Sequence, residues 1–466
     1  MKYPSGERFK LTFLAALFTA LCSISVPSLA GNVILIIGDG MDDHQITIAR
    51  NYLVGSRGKL TLDQLPLRST AQVLTVDDVS SDRPIYVADS ANSATSIASG
   101  VATSIGRVGT SASDDKDLAN IVELAQQQGI KSGIVSTASI TDATPSAFYA
   151  HVNTRDCENP KMMVQAETYY KTIADCSPDL KSNGGLGSIS EQLVDSGIHV
   201  ALGGGMQHFV QVAEGSDQTV LQLAENADYQ VVTRATELNN NGSGRLLGLF
   251  SPGTMPVKWR GEDGRVAEKP IPSLLNRLHW TLGSVTYPEP MDCEDNPEYA
   301  GMPSLALMTE TALSRLTGGD SGADSFFLMI ESASIDKQSH LRKACGSIGE
   351  LQQLDEALDL ALEFAKLHPD TLVLVTADHG QAAQLVPERT LFIDIPVPVY
   401  SPGYLARINT VEGEIMGVNY ATNNFLSEEH TGVNVPLLSN AVGQGLVPAM
   451  VTQPEIFDII KSHLLK

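Results

Sequence analysis

Uninterrupted apolar runs punctuate this chain, and each ends on a chemically distinctive loop. NVILII (32–37) closes in Gly38-Asp39-Gly40, FFLMI runs into Glu331, and TLVLVT (371–376) closes in Ala377-Asp378-His379-Gly380. Short runs rich in β-branched residues and lacking alternation predict strands buried on both faces, as in a parallel sheet. Further strands are predicted at 69–76, 84–88, 132–136, 200–202 and 325–330. Apolar positions recurring every three or four residues predict helices at 44–54, 117–128, 161–174, 189–195, 304–316, 348–367 and 454–465. SANSATSIASG (90–100) reads as a helix of small residues packed close to its neighbours. Periodicity weakens over 206–303, which reads as inserted or peripheral structure. The stretch 381–429 reads as irregular with short strands, suiting a lid or crown. Strands alternating with helices give an α/β fold: a largely parallel central sheet flanked by helices on both faces.

The ends and the charge narrow this picture. Lys2, Arg8 and Lys10 precede the apolar LTFLAALFTALCSI, and Ser28-Leu29-Ala30 supplies small residues for cleavage. Residues 1–30 therefore read as a secretory signal, leaving 31–466 as one domain, periplasmic or secreted. That apolar core is short for a transmembrane helix, and no later stretch is long and apolar enough, so no membrane partner is expected. The formal net charge is -23, and the first 30 residues carry three Lys/Arg and one Glu, so their removal takes it to -25. Such a surface argues against nucleic acid as a main partner, and an anionic ligand would need its own concentrated positive site. Of five cysteines, Cys22 leaves with the signal. Cys157, Cys176, Cys293 and Cys345 suggest two disulfides in an exported chain, with three pairings open.

Residues able to bind metal or phosphate sit just after the predicted strands. Asp336 and His340, four apart in a helix, would share one face, as a divalent metal requires. Glu331 stands at the carboxyl end of its strand, where open α/β sheets place ligands. Asp39 between two glycines, and Asp378 next to His379 on a loop, are both free to approach a cation. Ser90 opens the small-residue helix, whose amino terminus favours an anion. Thr144 offers a hydroxyl to a hard cation and Asp142 could hold its waters. Arg155 is suited to bidentate phosphate contact, and His430 is a further imidazole. Each alone has an ordinary reading: a turn Asp, a Ser N-cap, a solvated Arg, a structural His. Together they supply nitrogen-plus-carboxylate ligation suited to zinc, oxygen ligation suited to magnesium, and a Ser and Arg for phosphoryl transfer.

The order IIGDGM, YVADSANSAT, STASITDATPSAFYAHVNTRDC, ESASIDKQSH, VTADHG and EEHTG resembles alkaline phosphatases, most closely the bacterial periplasmic type. The resemblance spans essentially the whole mature chain and is weakest at about 206–300 and 381–425. It implies a phosphomonoesterase of broad specificity that works through a phosphoserine on Ser90. Arg155 would clamp two phosphate oxygens. Asp336, His340 and His430 would hold a first zinc; Asp378, His379 and Asp39 a second; Asp39, Thr144 and Glu331 a magnesium, with Asp142 beyond it. Lys337 would reach phosphate through water while tied to Asp142. The expected cofactors are thus two Zn2+ and one Mg2+, and the expected pairings Cys157–Cys176 and Cys293–Cys345. Two features depart from the pattern. Asp42 stands where the family usually has Gly, placing another carboxylate near Asp39. Little chain lies between the expected cleavage point and the first strand, whereas related enzymes often carry an arm embracing a partner subunit. A homodimer, or a monomer for want of that arm, is expected. Two other readings are a diesterase or sulfatase-like hydrolase, disfavoured by Arg155, and a non-catalytic phosphate- or metal-binding protein, disfavoured by Ser90 with a full ligand set.

Overall fold

The computed structural model describes residues 31–167, 173–238, 244–318, 325–391 and 397–466; the expected signal at 1–30 lies outside them. A ten-stranded sheet organises the molecule. In chain order its strands are β1 (Asn32–Gly38), β2 (Leu67–Gln72), β3 (Lys131–Ser139), β4 (Val200–Gly204), β5 (Tyr229–Val232), β6 (Arg245–Leu249), β7 (Phe326–Ser332), β8 (Thr371–Ala377), β9 (Val435–Ser439) and β10 (Met450–Thr452). In space the order is β10-β2-β9-β8-β1-β7-β3-β4-β6-β5. All neighbours run parallel except at β9, which is antiparallel to both β8 and β2. The sheet is therefore largely parallel, as the unalternating apolar runs imply. Val33 to Ile37 of β1 and Phe326 to Ile330 of β7 are wholly buried.

Register positions the site. Gly38 of β1 pairs with Ser332 of β7 on one side and with Ala377 of β8 on the other. These strands end level, so Asp39, Glu331 and Asp378 emerge at one edge of the sheet. Five helices matter to that edge: α1 (Asp43–Leu53), α2 (Ser90–Ser99), α3 (Ala143–Ser146), α4 (Ser334–His340) and α5 (Ala344–Leu367). Asp42 caps α1, accepting from the backbone N–H of His44 and Gln45 at 2.9 and 3.1 Å. Gly100 ends α2 at φ +77°, a left-handed position open to glycine at little cost.

Several expectations are revised. The helix predicted at 161–174 is absent among the described residues. A 3-10 turn (Pro160–Met162) leads into antiparallel strands Val164–Glu167 and Ile173–Asp175, and 168–172 lie outside the description. The Cys157–Cys176 disulfide holds the segment's ends with their Cα atoms 6.5 Å apart. A 14-residue helix would hold its own ends about 21 Å apart, whereas the antiparallel strand pair brings the segment's ends together directly. The helix predicted at 117–128 begins only at Ile121, because the capping box of Asn120 and Glu123 fixes its start. The strand predicted at 69–76 is β2 plus a separate pair, Thr75–Val76 against Pro84–Ile85. Within 206–303, β5 and β6 extend the sheet to its edge, and the remainder carries two small two-stranded sheets. The stretch 381–429 holds a three-stranded antiparallel sheet of Ala383–Leu385, Tyr404–Asn409 and Ile415–Tyr420. The second disulfide joins Cys293 to Cys345, so both pairings match the expectation. No helix among the described residues is long and apolar enough to cross a membrane.

Candidate active site

Ser90 is the first residue of α2, and Asp89 before it makes a reciprocal cap. Asn92 N–H donates to Asp89 Oδ1 at 3.0 Å, and Asp89 N–H donates to Asn92 Oδ1 at 2.8 Å. This fixes the helix start and aims Ser90 Oγ inward, 3.2 Å from His379 Nε2 and 3.4 Å from Asp39 Oδ1. The side chain is buried. The three imidazoles are oriented alike. Each Nδ1 faces a backbone carbonyl: His340 that of Glu428, His430 that of Ala88 at 2.7 Å, His379 that of Gly380 at 3.2 Å. A carbonyl only accepts, so Nδ1 carries the ring proton and Nε2 turns its lone pair to the site.

Those Nε2 atoms meet carboxylates from α4 and from the strand ends. His340 Nε2 lies 3.2 Å from Asp336 Oδ2, which joins the two ends of α4 as the i,i+4 spacing predicts. His430 Nε2 lies 3.4 Å from Asp336 Oδ1 and 3.0 Å from His340 Nε2. His379 Nε2 lies 3.4 Å from Asp39 Oδ1 and 3.5 Å from Asp378 Oδ2, and its ring stacks on His430 at 3.6 Å. Two triads, Asp336/His379/His430 and Asp39/Asp378/His379, each bring ligand atoms within 4.8 Å of one another.

The site behaves as one built around positive charge. Two imidazole lone pairs 3.0 Å apart repel unless a cation or proton lies between them. Asp378 Oδ2 is buried with no hydrogen-bond partner, a state costing about 1–3 kcal/mol unless another ligand satisfies it. Burial, then the charges of Asp378, Asp336 and Glu331, push the Asp39 carboxyl far up. Burial likewise takes Glu331 to about 8 against the hydrogen bond from Ser136. Burial lowers His430, but the Asp336 carboxylate outweighs it and takes His430 to about 9. Mixed imidazole and carboxylate donors, one of them unpartnered, suit divalent cations.

Opposite these ligands stand the cations. Arg155 reaches Asp142 Oδ1 at 2.8 Å and Asp89 Oδ2 at 3.4 Å, and Lys337 Nζ donates to Asp142 Oδ2 at 2.6 Å. Asp142 also caps α3, taking the Ala143 N–H at 2.7 Å. Burial pushes its carboxyl up, but Lys337 and Arg155 outweigh this and hold it well below the usual range. Thr144 follows within α3, buried. Asp39, Ser90, Asp336, His340, Asp378, His379 and His430 thus come together, and Asp142, Arg155 and Lys337 form a linked group, whereas His340, Glu331 and Thr144 stand outside both ligand triads. Asp42 does not join the ligand groups: it is buried as the cap of α1, and its Oδ2 accepts from the Gln381 N–H at 3.4 Å.

Sequence reasoning passed over the residues that hold the others. Gln381 Nε2 donates to Asp336 Oδ1, and Gln453 Nε2 to the backbone carbonyl of Asp378. Ser427 and Glu428 hold His340, and Arg342 in turn holds the Glu428 carboxylate at 2.6 Å. The Asp-x-x-Asn spacing at 89–92 was the one local signal available.

Comparison with known proteins shows the family. The family described as alkaline phosphatase matches residues 30–435. Alkaline phosphatase of Escherichia coli is 37% identical over 444 residues, covering 93% of this chain and 86% of that protein. Streptomycin-6-phosphate phosphatase of Streptomyces griseus is 40% identical over 450 residues, covering 94% and 92%. Thermus thermophilus alkaline phosphatase has the same fold at a TM-score of 0.65 and 20% identity, with 94% of this chain and 91% of that one covered. The enzyme of the Antarctic bacterium TAB5 superposes with a TM-score of 0.64 at 22% identity, covering 94% and 99%. The chain belongs to the alkaline phosphatase family and is a phosphomonoesterase.

Proposed function

We propose that this enzyme is exported and hydrolyses a broad range of small phosphate monoesters through a phosphoserine on Ser90. Arg155 holds two phosphate oxygens, which a monoester leaves free, and Lys337 adds positive charge through water. Ser90 Oγ gives up its proton and bonds to phosphorus as the ester P–O bond breaks; the bonding pair leaves on the ester oxygen, which takes up one proton and departs as the alcohol. Water then attacks the phosphoserine from the opposite side, phosphate leaves and Ser90 is restored. Asp336, His340 and His430 would hold one zinc, Asp378, His379 and Asp39 a second, and Asp39, Thr144 and Glu331 a magnesium with Asp142 beyond it. When bound, these ions would lower the pKa of the serine hydroxyl and of water and offset the developing negative charge. Export fits the signal-like residues 1–30 and the two disulfides.

The observation that carries this reading is the meeting at Ser90 Oγ, with His379 Nε2 at 3.2 Å and Asp39 Oδ1 at 3.4 Å. Hydroxyl, imidazole and carboxylate converge as a metal-activated nucleophile requires. The two relatives quoted are named alkaline phosphatase and streptomycin-6-phosphate phosphatase, at 37% and 40% identity, so identity does not select one ester. The test is Ser90→Ala assayed on an aryl phosphate with zinc and magnesium supplied. Retained turnover removes the nucleophile, and turnover surviving a chelator removes the metals. Faster cleavage of an aryl diester than of the monoester would move the enzyme to another branch. Sedimentation separates a homodimer from a monomer.

A further inference from the structure

One buried ion pair joins the two arms of chain that carry His340 and His430. Arg342 stands two residues after His340, and Glu428 two residues before His430. Arg342 Nε donates to Glu428 Oε1 at 2.6 Å, and both side chains are buried. The guanidinium also donates to the backbone carbonyls of Phe425 and Leu426 at 2.7 and 3.2 Å, and lies over the Tyr404 ring at 3.9 Å. The other oxygen of Glu428 accepts from the Thr422 N–H at 3.0 Å and hydroxyl at 2.6 Å. The arms also grip each other by their backbones. Glu428 N–H donates to the His340 carbonyl at 3.0 Å, and His340 Nδ1 donates to the Glu428 carbonyl.

Two observations set this pair apart from ordinary loop bracing. Arg342 sits at φ +58°, a left-handed position that glycine would adopt more cheaply, so what the position gains is the arginine side chain. Phe425 and Leu426 are 74% and 96% exposed, so their side chains do not anchor the loop; Arg342 and Glu428 do. On its far side His430 is fixed independently, by its own Nδ1 on the Ala88 carbonyl at 2.7 Å and by the Thr431 N–H on the Gly380 carbonyl at 3.0 Å. The ion pair closes the near side, where His340 Nε2 meets His430 Nε2 at 3.0 Å. We infer that Arg342 and Glu428 are positioning residues that set the spacing of His340 and His430 and, through the Glu428 carbonyl, keep the His340 ring proton on Nδ1. Both act through the imidazoles and leave the Nε2 atoms clear. His379 lies outside this clamp, with its Nδ1 on the Gly380 carbonyl. The inference rests on the ligand set proposed above, in which His340 and His430 share one ion and His379 holds another.

The test titrates metal-free protein with zinc against a competing chelator, with no substrate present. The double variant Arg342→Gly/Glu428→Gln leaves no unpaired buried charge and places glycine at φ +58°, so the fold is spared. One of the two zinc equivalents should bind about 10–100-fold more weakly, while the other stays within about threefold. Arg342→Lys keeps the charge but not the fork that reaches three acceptors, and should fall between wild type and the double variant. Leu354→Ala, buried in α5 and outside every contact above, controls for lost stability. It should lower the melting temperature of the metal-free protein yet leave both zinc midpoints within about threefold. Unchanged midpoints in the double variant, equal weakening of both equivalents, or the same weakening in Leu354→Ala overturns the positioning role. A wild-type protein that binds fewer than two equivalents of zinc would instead overturn the ligand reading on which the inference rests.

Discussion

Replacing Gln381 with Leu tests whether a residue outside the ligand set tunes metal binding. Gln381 Nε2 donates to Asp336 Oδ1, its own Oε1 accepts from the Ala382 N–H at 2.8 Å, and its N–H donates to Asp42 Oδ2 at 3.4 Å. The amide is thus pinned at both ends, and the Asp336 carboxylate is held at the angle at which His340 and His430 reach it. Asp336 is only 4% exposed, so water cannot replace the lost donor. A hydrogen bond to a buried charge contributes about 1.5–3 kcal/mol, and removing such a partner typically weakens metal affinity about 10–100-fold. The assay titrates metal-free protein with zinc against a competing chelator. The midpoint should rise about 10–100-fold, while kcat at saturating zinc falls less than about threefold. Gln381→Asn, too short to span the gap, should behave like Leu. An unchanged midpoint in both variants would refute the reasoning.

Other outcomes follow from the same geometry. Removing the Cys293–Cys345 disulfide, which spans 52 residues, should cost about 4 kcal/mol, and Cys157–Cys176, which spans 19, about 3 kcal/mol; urea unfolding of Ser variants gives both, and a reversed order contradicts the loop-closure argument. Buried Glu350 has its carboxyl raised by desolvation, against hydrogen bonds from Thr137, Ser332 and Gln353. The folded state therefore holds this proton more tightly than the unfolded chain, and the stability so gained is lost as pH rises above the ordinary Glu range. Glu350→Gln should raise the melting temperature relative to wild type more at pH 9 than at pH 5, and an equal or opposite shift refutes this. Dialysis against a chelator should abolish turnover and lower the melting temperature, with zinc plus magnesium restoring both; full activity in chelator contradicts the metal assignment.

The candidate site was legible because chemistry sat at the ends of unmistakable apolar runs. Asp39, Glu331, Asp378 and His379 follow strands whose buried character needs only a local pattern. The pairing that brings them level, Gly38 with Ser332 and with Ala377, is not local and becomes visible only in the sheet. β9 went unread because Pro436 interrupts its apolar run, and a strand interior normally excludes proline. Where a helix was expected at 161–174, the segment closed by the Cys157–Cys176 disulfide pairs as antiparallel strands. Gln381, Arg342 and Glu428 left no signal because their partners are remote in sequence: Gln381 meets Asp336 and Arg342 meets Glu428 only after folding. Asp42 placed another carboxylate near Asp39 in the sequence, yet its side chain turns to cap α1.

The central claim is that Ser90 attacks phosphorus. Wild-type enzyme, turning over an aryl phosphate with zinc and magnesium, should be quenched in acid, digested and analysed by mass spectrometry. The account predicts phosphate on the peptide carrying Ser90 and none in Ser90→Ala, which should also lose turnover. Turnover with no phosphate on Ser90, or phosphate on another residue, would contradict it.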